Sequence, residues 1–323
     1  MTHAIVVNQA GGPEVLSYEE RPLAAPGPGQ VAVRQTAIGV NFVDTYQRSG
    51  LYKIDLPFVA GSEGAGVVTA VGAGVAEFKV GDRVAYNGSL GAYATDRLLE
   101  VEKIVAIPDG IDDKTAAAIM LKGLTAYYLL FMTWPLKAGE TILWHAAAGG
   151  VGQIATQWAH ALGARVIGTA GSDEKVAIAL ANGCDAAINY STEDFAARVR
   201  ELTEGRGVDV VYDGVGKTTF DKSLDCLRPR GLLASFGNAS GVVTIPDLTV
   251  LSRKGSLYVT RPTAVTYFAE RKDLVAGAKA LFAAVLSGRI KVSISETFAL
   301  RDAEKAHRAL ESRQTTGSVI LLP

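Results

Sequence analysis

The sequence predicts an α/β protein in which a parallel sheet, covered by helices on both faces, is joined to a mostly β, barrel-like domain. Three observations carry this prediction. The chain has 323 residues, more than the roughly 250–300 at which a single core stops growing. Its first part consists of short β-prone runs between glycine- and proline-rich turns. Its middle part alternates short apolar runs with segments of helical character, and both patterns are typical of the structures predicted.

The mostly β domain is predicted from residues 1 to about 115. Runs with high strand propensity occur at 31–33, 66–68 and 83–85, and turn signals such as those at 26–29 and 72–74 separate them. Many short strands between glycine and proline turns favour a barrel or sandwich over a helical structure.

The α/β part begins after Pro108-Asp109-Gly110, where segments of helical character and apolar runs replace the short β-prone runs. A helix is predicted over 113–134, since its opening is rich in alanine. The apolar runs that follow predict strands at 141–144, 165–168, 187–189, 208–212 and 232–236. Helical segments between them imply a parallel sheet.

The C-terminal tail, from about Thr263, contains helical segments near 271–286 and 302–311 and ends in an apolar strand at 318–322. We expect this tail to return to the first domain, which makes the α/β unit an insertion. The predicted domains are therefore 1–123 with 263–323, and 124–262.

Composition and charge exclude several classes of function. Hydrophobic residues make up 48% and charged residues 20% of the chain, and 32 basic against 33 acidic residues give a net charge of −1. This balance argues against nucleic acid and anionic membranes as partners. Cys184 and Cys226 have no disulfide-framework or metal-site spacing. No signal peptide or transmembrane segment is recognised, so we expect a soluble cytoplasmic protein.

The strongest local motif is the glycine-rich turn after the strand at 141–144. It reads Ala146-x-x-Gly149-Gly150-Val151-Gly152 and runs into an apolar helix. Small residues let the backbone approach a pyrophosphate, and the N–H groups and dipole of the helix then bind the anion. The motif predicts a Rossmann dinucleotide site; a tight turn without a ligand is the alternative.

The end of the next strand predicts which dinucleotide binds. NAD sites place a carboxylate there for the ribose 2′-hydroxyl, whereas this chain has Gly171 and Ser172, followed by Lys175. A hydroxyl, backbone N–H groups and a cation suit a 2′-phosphate, and Tyr190 can add a second hydroxyl. The sequence therefore favours NADPH over NADH. The alternative is that Ser172 is only a helix N-cap and Lys175 a solvated lysine.

Several motifs together suggest a family. The segments at 39–46, 61–66, 122–128, 146–152 and 236–238 resemble those of NADPH:quinone oxidoreductases, the zeta-crystallin relatives in the medium-chain dehydrogenase/reductase superfamily. The resemblance covers the whole chain. It implies a GroES-like N-terminal domain, an inserted Rossmann domain, a homodimer, and NADPH bound in the cleft between the domains.

The resemblance also bears on metal binding. Zinc-dependent members carry Cys where this chain has Asn41 and Gly-His-Glu where it has Gly61-Ser62-Glu63. Catalytic zinc takes about three protein ligands of the Cys, His or carboxylate type. With Asn41 and Ser62 at two of these places, we expect no metal.

Site residues are carried over from the family one position at a time. The resemblance places Asn41, Phe42, Tyr46, Thr125, Tyr128, Thr260 and Arg261 near the nicotinamide and its ribose. It places Gly171, Ser172, Lys175, Tyr190 and Arg313 at the 2′-phosphate, and Val215, Phe236, Gly237 and Asn238 along the cofactor. The alternative for the tyrosines is an ordinary half-buried aromatic, and for Arg313 a surface charge.

The predicted reaction is hydride donation from the nicotinamide to a quinone, for which Asn41, Tyr46 and Tyr52 are the expected hydrogen-bonding residues. We expect them to orient the acceptor and not to be obligatory proton donors, because a reduced quinone can take protons from water. One alternative is reduction of an α,β-unsaturated ketone, an aldehyde or an enoyl thioester. A more remote one is a non-catalytic NADPH- or nucleic-acid-binding protein. Dimerisation would use an edge strand at 256–259.

Overall fold

A computed structural model describes residues 1–312 and 315–323; Arg313, predicted at the 2′-phosphate, lies outside the described residues. The described chain divides into two compact units. The first comprises Met1–Leu124, Ala269–Leu286 and Val292–Pro323, and the second Thr125–Phe268 and Ser287–Lys291. The domain limits expected from the sequence stay a prediction, because a compact unit need not fold alone.

The strands are named in chain order. They are β1 (Thr2–Val7), β2 (Leu16–Arg21), β3 (Gln30–Val40), β4 (Phe58–Val59), β5 (Glu63–Val71), β6 (Arg83–Asn87), β7 (Asp96–Glu100), β8 (Ile104–Ala106), β9 (Thr141–Trp144), β10 (Arg165–Ala170), β11 (Ala186–Asn189), β12 (Val208–Asp213), β13 (Leu227–Ser235), β14 (Tyr258–Thr260), β15 (Ile294–Ala299) and β16 (Ser318–Leu322).

The α-helices are named in the same way. They are α1 (Phe42–Arg48), α2 (Asp113–Tyr127), α3 (Gly150–Ala161), α4 (Asp173–Ala181), α5 (Phe195–Leu202), α6 (Phe220–Cys226), α7 (Thr249–Arg253), α8 (Ala264–Tyr267), α9 (Arg271–Leu286) and α10 (Ala303–Glu311). A π-helical turn, Tyr128–Thr133, continues α2, and short 3-10 turns occur at Pro13–Val15, Val101–Lys103 and Leu300–Asp302.

Two sheets build the first unit. One has the strand order β2-β1-β4 and the other β15-β16-β3-β5-β6-β8, with β7 also paired to β3. The C-terminal strand β16 runs antiparallel to β3, which confirms that the tail returns to the N-terminal β structure. In the pairing of β3 with β5, Gly39 lies opposite Glu63, so this glutamate lies close to the end of β3, where Asn41 follows.

The second unit contains a parallel sheet of order β11-β10-β9-β12-β13-β14. This order, in which the first strand lies at the centre and the chain winds outward in both directions, is that of a Rossmann fold. The predicted α/β fold is confirmed. The predicted edge strand forms at Tyr258–Thr260, and Tyr258 is exposed. Ligands of such sheets bind outside the carboxyl ends of the strands, where the winding reverses.

One apolar helical stretch in the described chain, Asp113–Thr133, is long enough to cross a membrane, although the sequence had predicted none. Of its most apolar window, 72% is buried inside the protein. Its side chains Ala116, Ile119, Leu124 and Leu129 are inaccessible to solvent, which is the pattern of a core helix.

Candidate active site

Four predicted site residues of the first unit come together on α1 and the loop after it. Asn41 precedes the helix as its N-cap residue, and Phe42 and Tyr46 are four residues apart, which places them on one face. Their ring centroids are 6.3 Å apart, and the Tyr46 ring meets Tyr52 edge-on at 5.3 Å. The backbone N–H of Tyr52 also donates to the Tyr46 carbonyl (3.0 Å).

The side-chain amide of Asn41 is held by a buried carboxylate. Asn41 Nδ2 donates to Glu63 Oε1 at 2.8 Å, and Asn41 and Glu63 are 5% and 0% exposed. The same oxygen accepts from Lys122 Nζ (2.8 Å), and Glu63 Oε2 accepts from the backbone N–H of Leu121 (2.6 Å). Because a carboxylate only accepts, the amide nitrogen of Asn41 must face Glu63. One N–H of this nitrogen is used there, and among the described residues no acceptor is found for the other.

A second buried carboxylate, Asp44, holds the backbone at the start of α1. Its Oδ2 accepts from the N–H of Asn41 (2.8 Å) and from Tyr93 OH (3.0 Å), and its Oδ1 accepts from Ser62 Oγ (2.8 Å). Asp44 therefore joins Asn41 and Ser62, the two positions at which zinc-dependent relatives carry metal ligands.

A chain of hydrogen bonds runs from Asp44 toward α10. Tyr93 OH lies 3.0 Å from His307 Nε2, and Arg48 Nη1 lies 3.1 Å from His307 Nδ1. Arg48 also pairs with Glu311 at 2.6 Å. A guanidinium only donates, so His307 Nδ1 accepts and its Nε2–H donates to Tyr93, which in turn donates to Asp44. The bonds from Arg48 through His307 and Tyr93 thus have one direction, toward Asp44.

Burial shifts the pKa of several groups in this chain. Loss of solvent raises the pKa of Asp44 to about 6, although the hydrogen bonds from Ser62, Asn41 and Tyr93 oppose the shift. Burial lowers the pKa of His307 to about 3, and the positive charge of Arg48 adds to this. His307 is therefore neutral, in agreement with the tautomer assigned from its partners.

In the second unit, the glycine-rich turn forms as the sequence predicts. Gly149 is the N-cap residue of α3, and no side chain caps this helix. The first N–H groups of a helix have no partner within it, so those of Gly150, Val151 and Gly152 are available to an anion. A bond from Gln153 Nε2 to the Ala148 carbonyl (2.9 Å) holds the turn against the helix.

The turn also has the close backbone packing that a pyrophosphate site requires. A Cβ built on Gly152 would lie 2.5 Å from the Ala146 carbonyl oxygen and 2.6 Å from that of Ala147. Ala146 itself has a φ of 52°, in the left-handed region. Only a residue without a side chain fits at Gly152, and the cradle therefore fits a dinucleotide phosphate.

Those described residues that are predicted at the 2′-phosphate meet at the end of β10. The hydroxyl of Tyr190 covers Gly171, since a Cβ on Gly171 would lie 2.7 Å from that oxygen. Ser172 caps α4, and its Oγ accepts from the N–H of Lys175 at 3.3 Å. The capping role and the predicted phosphate-binding role of Ser172 are compatible, because a hydroxyl can accept and donate at once.

Two loops at the carboxyl ends of β12 and β13 are bound to each other. Asp213 Oδ1 accepts from the N–H groups of Val215 (2.7 Å) and Gly216 (3.0 Å). The N–H of Phe236 donates to the Asp213 carbonyl at 2.8 Å. The carboxylate of Asp213 thus shapes one loop while its backbone anchors the other.

The remaining residues predicted near the nicotinamide lie in two places. Thr260 pairs with Ala234 in the sheet, and Arg261 Nη1 donates to the carbonyls of Ser235 (2.6 Å) and Gly237 (3.3 Å), beside Asn238. Thr125 lies buried in α2, and Tyr128, at the start of the π-helical turn, stacks on Tyr267 at 4.8 Å.

Several residues of the polar network were not predicted as site residues: Asp44, Arg48, Glu63, Tyr93, Lys122 and His307. The spacing of Asn41 and Asp44 is that of a capping box, and this signal could have identified Asp44. Tyr93 and His307 are brought to it by strand pairing and by packing of α10, for which the sequence offers no local signal. Within residues 1–312 and 315–323, no group of three or more His, Cys, Asp and Glu side chains is arranged to hold a metal ion.

Comparison with known proteins relates this geometry to a family. A model of the alcohol dehydrogenase GroES-like domain matches residues 27–109, and one of the zinc-binding dehydrogenases matches residues 150–275. A quinone oxidoreductase of Pseudomonas aeruginosa is 57% identical over 315 residues, covering 97% of each chain. The chain belongs to the quinone oxidoreductases of the medium-chain dehydrogenase/reductase superfamily.

Other members of the superfamily extend the comparison. The solved structure of Escherichia coli quinone oxidoreductase complexed with NADPH matches with a TM-score of 0.97 and 48% identity, over 100% of both chains. A 2-haloacrylate reductase from Burkholderia is 49% identical over 100% of this chain. Relatives of similar identity therefore carry the names of different reductases. The family model named for zinc-binding dehydrogenases matches residues 150–275, a segment that contains neither Asn41 nor Ser62.

Proposed function

We propose that this quinone oxidoreductase relative is an NADPH-dependent quinone reductase that works without a metal. The observation that carries the proposal is the uncapped N-terminus of α3 behind the Gly152 cradle. This helix follows β9, and the neighbouring strand β10 is followed by a turn that offers Ser172, Lys175 and the Tyr190 hydroxyl. β10 itself does not end in a carboxylate. This combination supports binding of a dinucleotide that carries a 2′-phosphate.

The residues of the second unit would hold the cofactor. The N–H groups of 150–152, after the N-cap Gly149, bind the pyrophosphate, and the 171–175 turn with Tyr190 binds the 2′-phosphate. Thr125, Tyr128, Val215, Phe236, Gly237, Asn238, Thr260 and Arg261 line the rest, and Arg313 is proposed at the 2′-phosphate from the sequence alone. Bound NADPH supplies the hydride from C4 of its nicotinamide.

The residues around α1 would bind the acceptor. The second N–H of Asn41 Nδ2 and the hydroxyls of Tyr46 and Tyr52 hydrogen-bond a quinone oxygen as negative charge develops on it. Because Glu63 and Asp44 hold Asn41 at its side chain and its backbone, the donor is preorganised and little reorganisation is needed during the reaction. The Phe42 ring supplies an apolar surface next to these donors.

A second candidate function is reduction of an α,β-unsaturated carbonyl compound, an aldehyde or an enoyl thioester by NADPH. The 2-haloacrylate reductase at 49% identity supports it, because a haloacrylate is an α,β-unsaturated carboxylate. Non-catalytic binding of NADPH or nucleic acid is the remaining alternative, and the net charge of −1 argues against the nucleic acid.

The proposed function extends to the oligomeric state and the cellular compartment of the enzyme. We propose a homodimer in which β14 pairs with its copy in the partner, supported by the position of β14 at the sheet edge and the exposure of Tyr258. We further propose a soluble cytoplasmic enzyme that has small molecules as partners and does not bind membranes. A monomeric mass in solution at working concentration would contradict the dimer.

The acceptor is tested with chelator-treated protein and NADPH against a benzoquinone, a naphthoquinone, an enone and an enoyl thioester. Turnover of the quinones supports the proposal, whereas turnover of only the enone or the thioester favours the second candidate. Tight NADPH binding without turnover of any acceptor would favour the non-catalytic alternative.

The roles of the donors are tested with the variants Asn41→Ala, Tyr46→Phe and Tyr52→Phe. Each is expected to lower kcat by roughly tenfold, the effect of one oriented hydrogen bond. A loss of more than about a thousandfold for Tyr46→Phe or Tyr52→Phe, with NADPH binding intact, would show an obligatory proton donor and contradict the proposed role.

A further inference from the structure

One acidic side chain lies next to the proposed 2′-phosphate site. Asp173 is the first residue of α4 and directly follows Ser172. A carboxylate at this end of a helix is favourable for the helix dipole. The same charge would repel a 2′-phosphate bound by Gly171, Ser172 and Lys175 if the side chain turned toward it. An NADPH site at this place therefore requires that Asp173 be held in another direction.

The structure provides the group that holds it. Asn189, the last residue of β11, is 7% exposed, and its Nδ2 donates to Asp173 Oδ1 at 2.7 Å. Asn189 Oδ1 is itself fixed, because it accepts from the N–H of Ser191 at 3.0 Å. The amide is thus held at both ends, and its nitrogen must face Asp173.

Asn189 and Tyr190 hold different parts of the segment that leads into α4. The Tyr190 hydroxyl covers Gly171, whereas the Asn189 amide binds the Asp173 carboxylate. Ser191 Oγ donates to the Gly171 carbonyl at 2.9 Å and fixes this arrangement. One oxygen of the Asp173 carboxylate is therefore held at the end of β11, by a different group from the one that covers Gly171.

We propose that Asn189 is a specificity-determining residue for the cofactor: it holds the Asp173 carboxylate away from the 2′-phosphate and so maintains the preference for NADPH over NADH. This inference rests on the proposed function. Asn189 is a positioning residue, because its side chain acts on the cofactor site through Asp173.

The variant Asn189→Ser tests the inference, since a serine hydroxyl at this position can still accept from the Ser191 N–H but is too short to reach Asp173. Release of the carboxylate is expected to weaken NADPH binding about three- to tenfold, the effect of one partly solvated charge near a phosphate. NADH binding is expected to change less than about twofold, because NADH has no 2′-phosphate. Calorimetric titration of both cofactors without an acceptor measures this.

Two further variants show whether Asp173 is responsible. In an Asp173→Asn background, Asn189→Ser should leave the ratio of the NADPH and NADH dissociation constants unchanged, because there is no charge to release. Asn182→Ser serves as the matched control, since Asn182 donates to the Ile178 carbonyl at 2.8 Å near the other end of α4. It removes a similar bond and should not change the ratio.

Several results would overturn the inference. If Asn189→Ser lowers NADPH affinity equally in the native protein and in the Asp173→Asn background, Asn189 acts on the turn and not through the charge. An unchanged ratio in Asn189→Ser would exclude the role altogether. If that variant does not fold, Asp173→Asn alone decides, because a more than tenfold gain in NADPH affinity would mean that the carboxylate already faces the phosphate. Absence of NADPH binding by the unaltered protein would instead contradict the proposed function.

Discussion

Substitution of Asp44 by Asn should change how the stability of the protein depends on pH. Asn is nearly isosteric with Asp and can keep the three contacts. Its carbonyl oxygen accepts from the Asn41 N–H and from Tyr93, and its amide nitrogen donates to Ser62 Oγ, where Asp44 accepts. The buried negative charge is the one property that the substitution removes.

The magnitude follows from the pKa of Asp44, which burial raises from 3.8 to about 6. The folded state then binds this proton more tightly than the unfolded state, so the associated stability is present below pH 3.8 and is lost as the pH rises through about 6. A shift of about two pKa units corresponds to roughly 3 kcal/mol. The Asn variant does not incur this loss, so its stability relative to the native protein should rise by about that amount between pH 4 and 7.

His307 has the opposite effect on the native protein. Burial lowers its pKa to about 3. The contribution of His307 to the free energy of unfolding is therefore present above pH 6.5 and is lost as the pH falls toward 3. Between pH 4 and 6 the two effects cancel in the native protein, while Asp44→Asn leaves only that of His307. The other charged or titratable groups facing this pair are Arg48, Glu63 and Tyr93, and they are the same in both proteins.

Urea unfolding of both proteins at half-unit intervals from pH 4 to 7.5 measures the difference. The free energy of unfolding of the variant should fall by roughly 1.4 kcal/mol per pH unit as the pH is lowered from 6 to 4, while that of the native protein stays nearly level. Parallel curves for the two proteins would refute the reasoning, because they would show that Asp44 has the same pKa in the folded and unfolded states.

Two other predictions concern the Asn41 network and the glycine-rich turn. Glu63→Gln leaves Lys122 buried without its counter-charge and should lower the free energy of unfolding by roughly 3–5 kcal/mol. Chemical denaturation measures this loss. A loss below about 1 kcal/mol would show that Lys122 finds another partner. Gly152→Ala places a Cβ 2.5 Å from the Ala146 oxygen and should weaken NADPH binding more than about tenfold in a calorimetric titration. Gly149→Ala, whose Cβ lies 3.1 Å from the same oxygen, is the milder control, and equal losses in both variants would contradict the packing argument.

Much of the α/β unit could be predicted from the sequence because its signals are local. The strand at 141–144 has the predicted bounds, and Arg165 begins the next strand as expected. The strand expected at 232–236 instead covers Leu227–Ser235, since Leu227 also pairs with Val208 of β12, ahead of an irregularity that precedes the pair of Val210 with Leu232. The π-helical turn after Tyr127 was also not predicted, because a change from α to π hydrogen bonding has no simple sequence period.

The candidate site was predictable only where its residues are neighbours in sequence or belong to a motif. Phe42, Tyr46 and the 149–152 turn fulfil that condition. The network through Tyr93 and His307 does not, because those residues are 214 positions apart and meet only when the sheet and α10 are assembled. The bond from Asn189 to Asp173 joins the end of a strand to the start of a helix, 16 positions away, and likewise depends on the folded sheet.

The most direct test of the central claim is the steady-state oxidation of NADPH by a naphthoquinone, followed by absorbance after treatment with a chelator and repeated with NADH. The account predicts turnover with NADPH that the chelator does not change and that is much weaker with NADH. Loss of turnover on chelation, or equal turnover with NADH, would contradict it.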